Sequence, residues 1–170
     1  MREKFKEQIS QIKQEDLVYV DESGFDVNMR REYGYSLKGT RIIDQKSGKK
    51  SKRISVIAGL VNRKTLIAPA YFNCYTDSTV FNIWLKQVLL PELKPGYTIV
   101  MDNASFHKNI KTKEMIESAG CSLLYLPSYS PDLNPIEKKW AHIKNFVKKI
   151  RNKFETFTSA LDYVLCQNHQ

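Results

Sequence analysis

The chain has 170 residues, 42% hydrophobic and 26% charged, which suits one domain with a buried core. No stretch approaches the roughly 18 apolar residues of a membrane helix, and Met1-Arg2-Glu3-Lys4-Phe5 opens no signal-peptide run, so a cytoplasmic, nucleoid-associated protein is expected. Twenty-seven Lys and Arg against 18 Asp and Glu give a net charge of +9, which points to a polyanionic partner, nucleic acid first.

In the charged segment 2–14, Phe5, Ile9 and Ile12 recur at helical spacing and predict a short amphipathic helix. Residues 1–16 are read as a helix and linker ahead of a domain over 17–170. The run from Leu17 to Asp21 predicts a buried strand with a polar end, followed by a turn at Ser23-Gly24; the polar segment 37–53 is expected to be a loop. Ile54–Val61 and Thr65–Phe72 are β-rich, and the short link Asn62-Arg63-Lys64 makes them an antiparallel hairpin.

Ser78 is the expected cap of a helix whose core face is Phe81, Trp84, Leu85, Val88 and Leu89, closed by Pro91 and Pro95. Tyr97–Asp102 reads as another strand ending in an acid. A helix near 109–119 stops at Gly120, and Cys121–Leu126 is a further strand. The proline-punctuated stretch Pro127–Pro135 leads into a long helix reaching about Phe154, and residues 156–168 form a last short helix. Three antiparallel strands continued by β-α-β units predict a mixed sheet flanked by helices.

Cys74, Cys121 and Cys166 lie far apart with no C-x-x-C pair, which favours reduced thiols over a zinc site or a disulfide framework. The positive charge gathers in two places. One is Lys138, Lys139, Lys144, Lys148, Lys149, Arg151 and Lys153, with no acid among them; the other is the 41–53 segment with Lys49, Lys50, Lys52 and Arg53. Each is either a solvated face or a phosphate-binding surface.

Asp21 and Asp102 each end an apolar run. An ionised carboxylate there is costly unless hydrogen bonds or a cation compensate it, so each is either a turn cap or a metal ligand. Glu22, the next residue on its strand, faces the opposite side. Glu137 has two readings as well. With Asn134 as N-cap and Pro135 at the first helical position, it stands where a capping-box Glu reaches back, and the same turn can present it to a strand pair.

Three segments resolve these alternatives by likeness. The stretch from Leu126 through Ser130-Pro131-Asp132-Leu133-Asn134-Pro135-Ile136-Glu137 to Trp140 resembles the signature around the last acid of mariner-superfamily transposases. Val20-Asp21-Glu22-Ser23-Gly24-Phe25 resembles their first-acid motif, and Met101-Asp102-Asn103-Ala104-Ser105-Phe106-His107-Lys108 their second. Thirty-four residues separate Asp102 from Glu137, a spacing similar to that of the bacterial insertion-sequence 630 branch.

The resemblance implies an α/β fold, the RNase H-like (retroviral-integrase-like) mixed five-stranded sheet, and a catalytic trio of Asp21, Asp102 and Glu137. Asp21 would bridge two Mg2+ (or Mn2+) ions, with Asp102 and Glu137 completing one shell each, for cleavage of transposon ends and strand transfer into target DNA, commonly at TA. Lys49, Lys50, Lys52, Arg53, His107, Lys138, Lys144, Lys148 and Lys149 are the candidate DNA contacts. His107 suits a phosphate contact or orientation of the metal site, and equally a packing or helix-capping role; His142 is assigned none. Trp140 is read as packing; Tyr129 and Ser130 either steady their loop or touch DNA.

Family members carry N-terminal helix-turn-helix modules, so a separate module of that kind and a homodimer on DNA are implied partners; segment 41–53 is a candidate for joining two catalytic domains. The chain starts about where the catalytic domain does, which leaves open a split reading frame, an excised piece and a degenerate remnant that only binds DNA or protein. A repair or RNA-strand nuclease on the same fold is disfavoured by the Ser-Pro-Asp-Leu-Asn-Pro segment, and a glycosidase by the positive charge.

Overall fold

Side chains alternate along a strand, so Leu17, Tyr19 and Phe25 of β1 (Leu17–Asp26) enter one buried cluster while Val18 and Val20 enter another. A strand buried on both faces belongs in the middle of a sheet. The computed structural model describes residues 1–29, 35–41, 43, 52–73, 76–104 and 109–168, and there β1 is the central strand of five. The order is β3-β2-β1-β4-β5, with β2 (Arg53–Val61), β3 (Thr65–Phe72), β4 (Thr98–Met101) and β5 (Ser122–Tyr125). β1, β2 and β3 pair antiparallel; β4 runs parallel to β1, and β5 parallel to β4. The mixed five-stranded sheet is as expected.

One face of the sheet is covered by α5 (Ile136–Ile150) and α6 (Phe157–Asn168). Trp140, Ile143 and Val147 of α5 and Leu161 and Val164 of α6 pack on Tyr19, Val56 and Val100. Phe5 of α1 (Arg2–Ser10) is buried in the same cluster. The other face carries α2 (Ser78–Trp84), which runs through a π turn (Leu85–Leu89) into α3 (Leu90–Glu92), together with α4 (Ile110–Ser118). Phe81, Trp84, Leu85, Leu89 and Ile116 meet Val18, Val20, Ile57 and Ile99 there.

The hairpin turn between β2 and β3 takes positive φ at Asn62 (53°) and Arg63 (54°), the hand that matches the strands' own twist. Gly120, with φ of 72°, ends α4 as its sequence predicts.

Several boundaries differ from the sequence reading. β1 does not turn at Ser23-Gly24; it continues to Asp26 with Gly24 opposite Ser55. The glycine leaves room for Arg53, whose Nε would stand 1.7 Å from a Cβ at that position. Asp77 rather than Ser78 caps α2, accepting from the Thr79 and Val80 amides at 2.9 and 2.8 Å. Pro91 sits within the last helical turn instead of beyond it. The long helix stops at Ile150, where a 3-10 turn (Arg151–Lys153) follows and Arg151 Nη1 donates to the Phe154 carbonyl at 2.9 Å. β4 and β5 are each shorter than expected at both ends, so Asp102 lies just past its strand.

Candidate active site

Three acids line one cleft of about 390 Å³, and each arrives by a different route. Asp21 stands within β1, on the α5 side of the sheet by alternation with Tyr19. It does not end its strand, as the sequence suggested; what ends beside it is the partner, because β4 stops at Met101. Asp102 follows immediately, and its Oδ1 accepts from the Ala104 amide at 3.0 Å, an Asx turn that directs the chain off the sheet. Asn103 Nδ2 donates to the Leu126 carbonyl and so ties that turn to the end of β5. Glu137 is the second residue of α5 and exposed, where the helix's positive end favours a carboxylate.

Asp21 carries the strongest electrostatic signature. Burial and then the neighbouring Glu137 push its carboxyl from the ordinary 3.8 up to about 7, with Asp102 adding a smaller push. The Glu22 amide and the Trp140 indole act against that rise. Trp140 Nε1 donates to Asp21 Oδ2 at 3.1 Å, so this tryptophan has a polar task beyond its packing. Glu22 belongs with Val18 and Val20 by alternation, on the opposite face of the sheet from Asp21.

The loop ahead of Glu137 is built, not free. Ser130 is buried, accepts from Arg2 Nη1 at 3.0 Å and donates to the Ser128 carbonyl at 3.2 Å, so it steadies the loop. The Arg2 guanidinium also clasps Asp132, which raises the Arg2 pKa and lowers that of Asp132. Tyr129, at φ of 55°, is fully exposed on the rim. Asn134 does not cap α5 through its side chain: Pro135 takes the N-cap position, and the Asn134 carbonyl accepts from the Glu137 amide at 3.3 Å. The Asn134 Oδ1 is buried and has no hydrogen-bond partner among the described residues.

The basic residues divide by helix geometry. At 100° per residue, Lys144 and Lys148 follow Glu137 down one flank of α5, whereas Lys138 and Lys149 point outward, away from the core. Lys144 is half-buried, with its ammonium 5.3 Å from the Phe25 ring centre. Burial, then repulsion from Arg53, lowers its pKa, while attraction to Glu137 and Asp21 opposes that shift. Lys52 and Arg53 are exposed. Lys138 and His142 line a second groove beside α1, where Lys139 donates to the Lys64 carbonyl at 2.8 Å. Lys49, Lys50 and His107 lie outside the described residues, as does most of segment 41–53.

With the cleft in view, comparison with known proteins is decisive at the level of family. The sequence pattern of the family described as DDE superfamily endonuclease matches residues 16–160. The chain belongs to this DDE superfamily.

Over 56 residues the DDE chain is 38% identical to the Tcb2 transposase of Caenorhabditis briggsae, a match covering 33% of this chain and 20% of that one. A pre-cleavage Mos1 transpososome superposes with a TM-score of 0.66 at 15% identity, over 99% of this chain and 62% of that chain. The catalytic core domain of BIV integrase gives 0.60 at 12% identity, over 90% and 82%. The fold is therefore the expected RNase H-like one, and the family match together with the Tcb2 similarity supports the expected resemblance to mariner-type DDE transposases. The chain spans less than two thirds of the Mos1 chain and a fifth of Tcb2. Among the described residues, no helix is long and apolar enough to cross a membrane.

Among the described residues, no three His, Cys, Asp or Glu side chains converge closely enough to hold an ion. The acids are near enough for Glu137, and to a lesser degree Asp102, to add to the upward push that burial exerts on the Asp21 carboxyl. The chemistry of the donors nevertheless fits. The cleft offers carboxylate oxygens and the unpartnered Asn134 Oδ1, with no sulfur or imidazole among the described lining residues, a set suited to Mg2+ or Mn2+.

Proposed function

We propose that this chain is the catalytic domain of a mariner-type transposase of the bacterial insertion-sequence 630 branch. In this reading residues 17–170 form the domain, residues 1–16 lead into it, and the protein works in the cytoplasm on nucleoid DNA. It cuts transposon ends and joins them to target DNA, at TA. Asp21, Asp102 and Glu137 would hold two Mg2+ or Mn2+ ions. The observation that supports this most is a half-buried carboxyl in the cleft, Asp21, raised to about 7 by desolvation and a second cleft-lining acid. Such crowding is unfavourable in the free protein and is relieved by a cation.

When bound, the ions supply activation of a water or 3′-hydroxyl and stabilisation of the leaving oxygen. The chain's own residues do the rest. Lys144, on the Glu137 flank of α5, holds a DNA phosphate beside the acids, and Lys148 takes the next one along. Lys138, Lys149, Lys52, Arg53, Lys49, Lys50 and His107 make the outer contacts. Recognition of the transposon ends comes from a separate helix-turn-helix module, and two catalytic domains act together on DNA, with segment 41–53 between them.

The test is magnesium-dependent nicking of the element's own end DNA, with and without an added N-terminal module. Asp21→Asn, Asp102→Asn and Glu137→Gln are each expected to abolish it while the protein stays folded. Residual activity within tenfold of the natural chain removes that residue from the site. A natural chain that binds DNA yet never nicks it, with the module present, would instead be an inactive remnant.

A further inference from the structure

The molecule holds two buried tryptophans, and they satisfy their indole N–H groups differently. Trp84 donates to a backbone carbonyl, that of Ala68, at 2.8 Å. This is the usual solution, a neutral acceptor for a buried polar tip. Trp140, 1% exposed, instead donates to a side-chain carboxylate that lines the cleft, Asp21 Oδ2 at 3.1 Å. Its ring is also held edge-on to Phe25, with centroids 6.1 Å apart and planes at 84°. Phe25 and Asp21 share β1, while Trp140 and Glu137 share α5. One side chain therefore fixes the helix that carries one acid against the strand that carries another.

We infer that Trp140 is a positioning residue for the cation site: its indole N–H occupies one Asp21 oxygen and orients the carboxylate so that the other serves a cation in the cleft. The inference rests on the metal-site reading given above. Trp140 touches neither substrate nor cation, and acts through Asp21 alone. Outer partners that orient a ligand typically contribute 10–100-fold in metal affinity.

The test uses the full chain and two conservative variants. Trp140→Phe keeps most of the ring and loses the N–H; Trp84→Phe makes the corresponding change at the indole that meets a carbonyl. Mn2+ affinity is read by calorimetry, alongside the unfolding midpoint of each protein. Trp140→Phe is expected to weaken Mn2+ binding about tenfold or more, and Trp84→Phe to leave it within twofold. Unchanged or tighter binding in a folded Trp140→Phe protein overturns the inference while leaving the metal site intact. A natural chain that binds no Mn2+ overturns both.

A second measurement needs no change at residue 140. In Trp84→Phe the only remaining indole is Trp140, so its fluorescence reports on the bond to Asp21. Mg2+ is expected to change that emission saturably, and Asp21→Asn in the same background to abolish the change. A flat response at Mg2+ concentrations that calorimetry shows to be saturating overturns the inference.

Discussion

By strand register Asp21, within β1, stands level with Asp102, the residue just past the end of the neighbouring parallel strand β4. β1 and β4 pair Leu17 with Thr98 and Tyr19 with Val100, and the same register carried two residues further sets Asp21 beside Asp102. β4 ends at Met101 while β1 continues to Asp26, so beyond that level β1 has no β4 partner. Two carboxylates are thereby brought to the same opening of the sheet, at the carboxyl end of parallel strands where α/β sites form.

Asp21 is expected to destabilise the cation-free protein at neutral pH. Its folded pKa lies above the ordinary 3.8, at about 7, so the folded state holds a proton that the unfolded chain releases. The contribution to stability is complete below about pH 4 and is lost as pH rises through about 7. The loss amounts to at most about 4 kcal/mol, since one pKa unit corresponds to ~1.4 kcal/mol. Asp21→Asn is therefore expected to raise the unfolding midpoint by several degrees at pH 8 in chelator, and by much less at pH 5. A lower midpoint at pH 8 would show that the charge is already compensated.

Cation binding follows the same linkage. Protons and Mg2+ compete for Asp21, so Mg2+ is expected to raise the midpoint strongly at pH 8 and little at pH 5. Thermal unfolding at fixed Mg2+ across that range reads it directly. Equal shifts at both pH values would place the cation elsewhere.

Much of this arrangement was legible in the sequence, and what was not has a common cause. Ile54–Val61 and Thr65–Phe72 declared themselves as strands through their β-branched and apolar content, and their short link fixed the hairpin. The three acids were visible because each lies in a recognisable local motif. The Trp140 bond to Asp21 was hidden: it joins residues 119 apart in sequence, and only the packing of α5 on β1 brings them together. Asn134 was misread as a cap because its local signal is the same whether or not its side chain turns to the helix. Gly24 signalled a turn by composition, yet its small size serves the passage of Arg53 over a continuing strand.

Glu22 gives a control that separates position from charge. It neighbours Asp21 in sequence but lies on the other face of the sheet, toward α2. Glu22→Gln is expected to keep nicking within tenfold of the natural chain, under conditions where Asp21→Asn leaves none. A loss as deep as that of Asp21→Asn would mean that charge density at this end of β1, rather than its α5 face, sets activity.

The lysines of α5 are expected to differ in their hold on DNA according to the flank they occupy. Lys144 and Lys148 trail Glu137 by 7 and 11 residues and share its side of the helix, whereas Lys138 and Lys149 face outward. Each neutralised phosphate on duplex DNA contributes about 0.9 to the slope of log affinity against log salt. Lys144→Gln with Lys148→Gln is thus expected to flatten the slope by about 1.8, alike for end and unrelated sequences, because phosphate contacts carry no sequence information. The pair Lys138→Gln with Lys149→Gln is expected to change it by less than half as much. Lys144 should also matter for chemistry, since it is drawn toward Glu137 and Asp21. Lys144→Gln alone is expected to slow nicking at saturating DNA, and Lys148→Gln alone to leave that rate unchanged. Equal slopes for the two double variants, measured by binding titrations from low to physiological salt, would make the Glu137 flank an ordinary solvated surface and move the DNA path to another face of the domain.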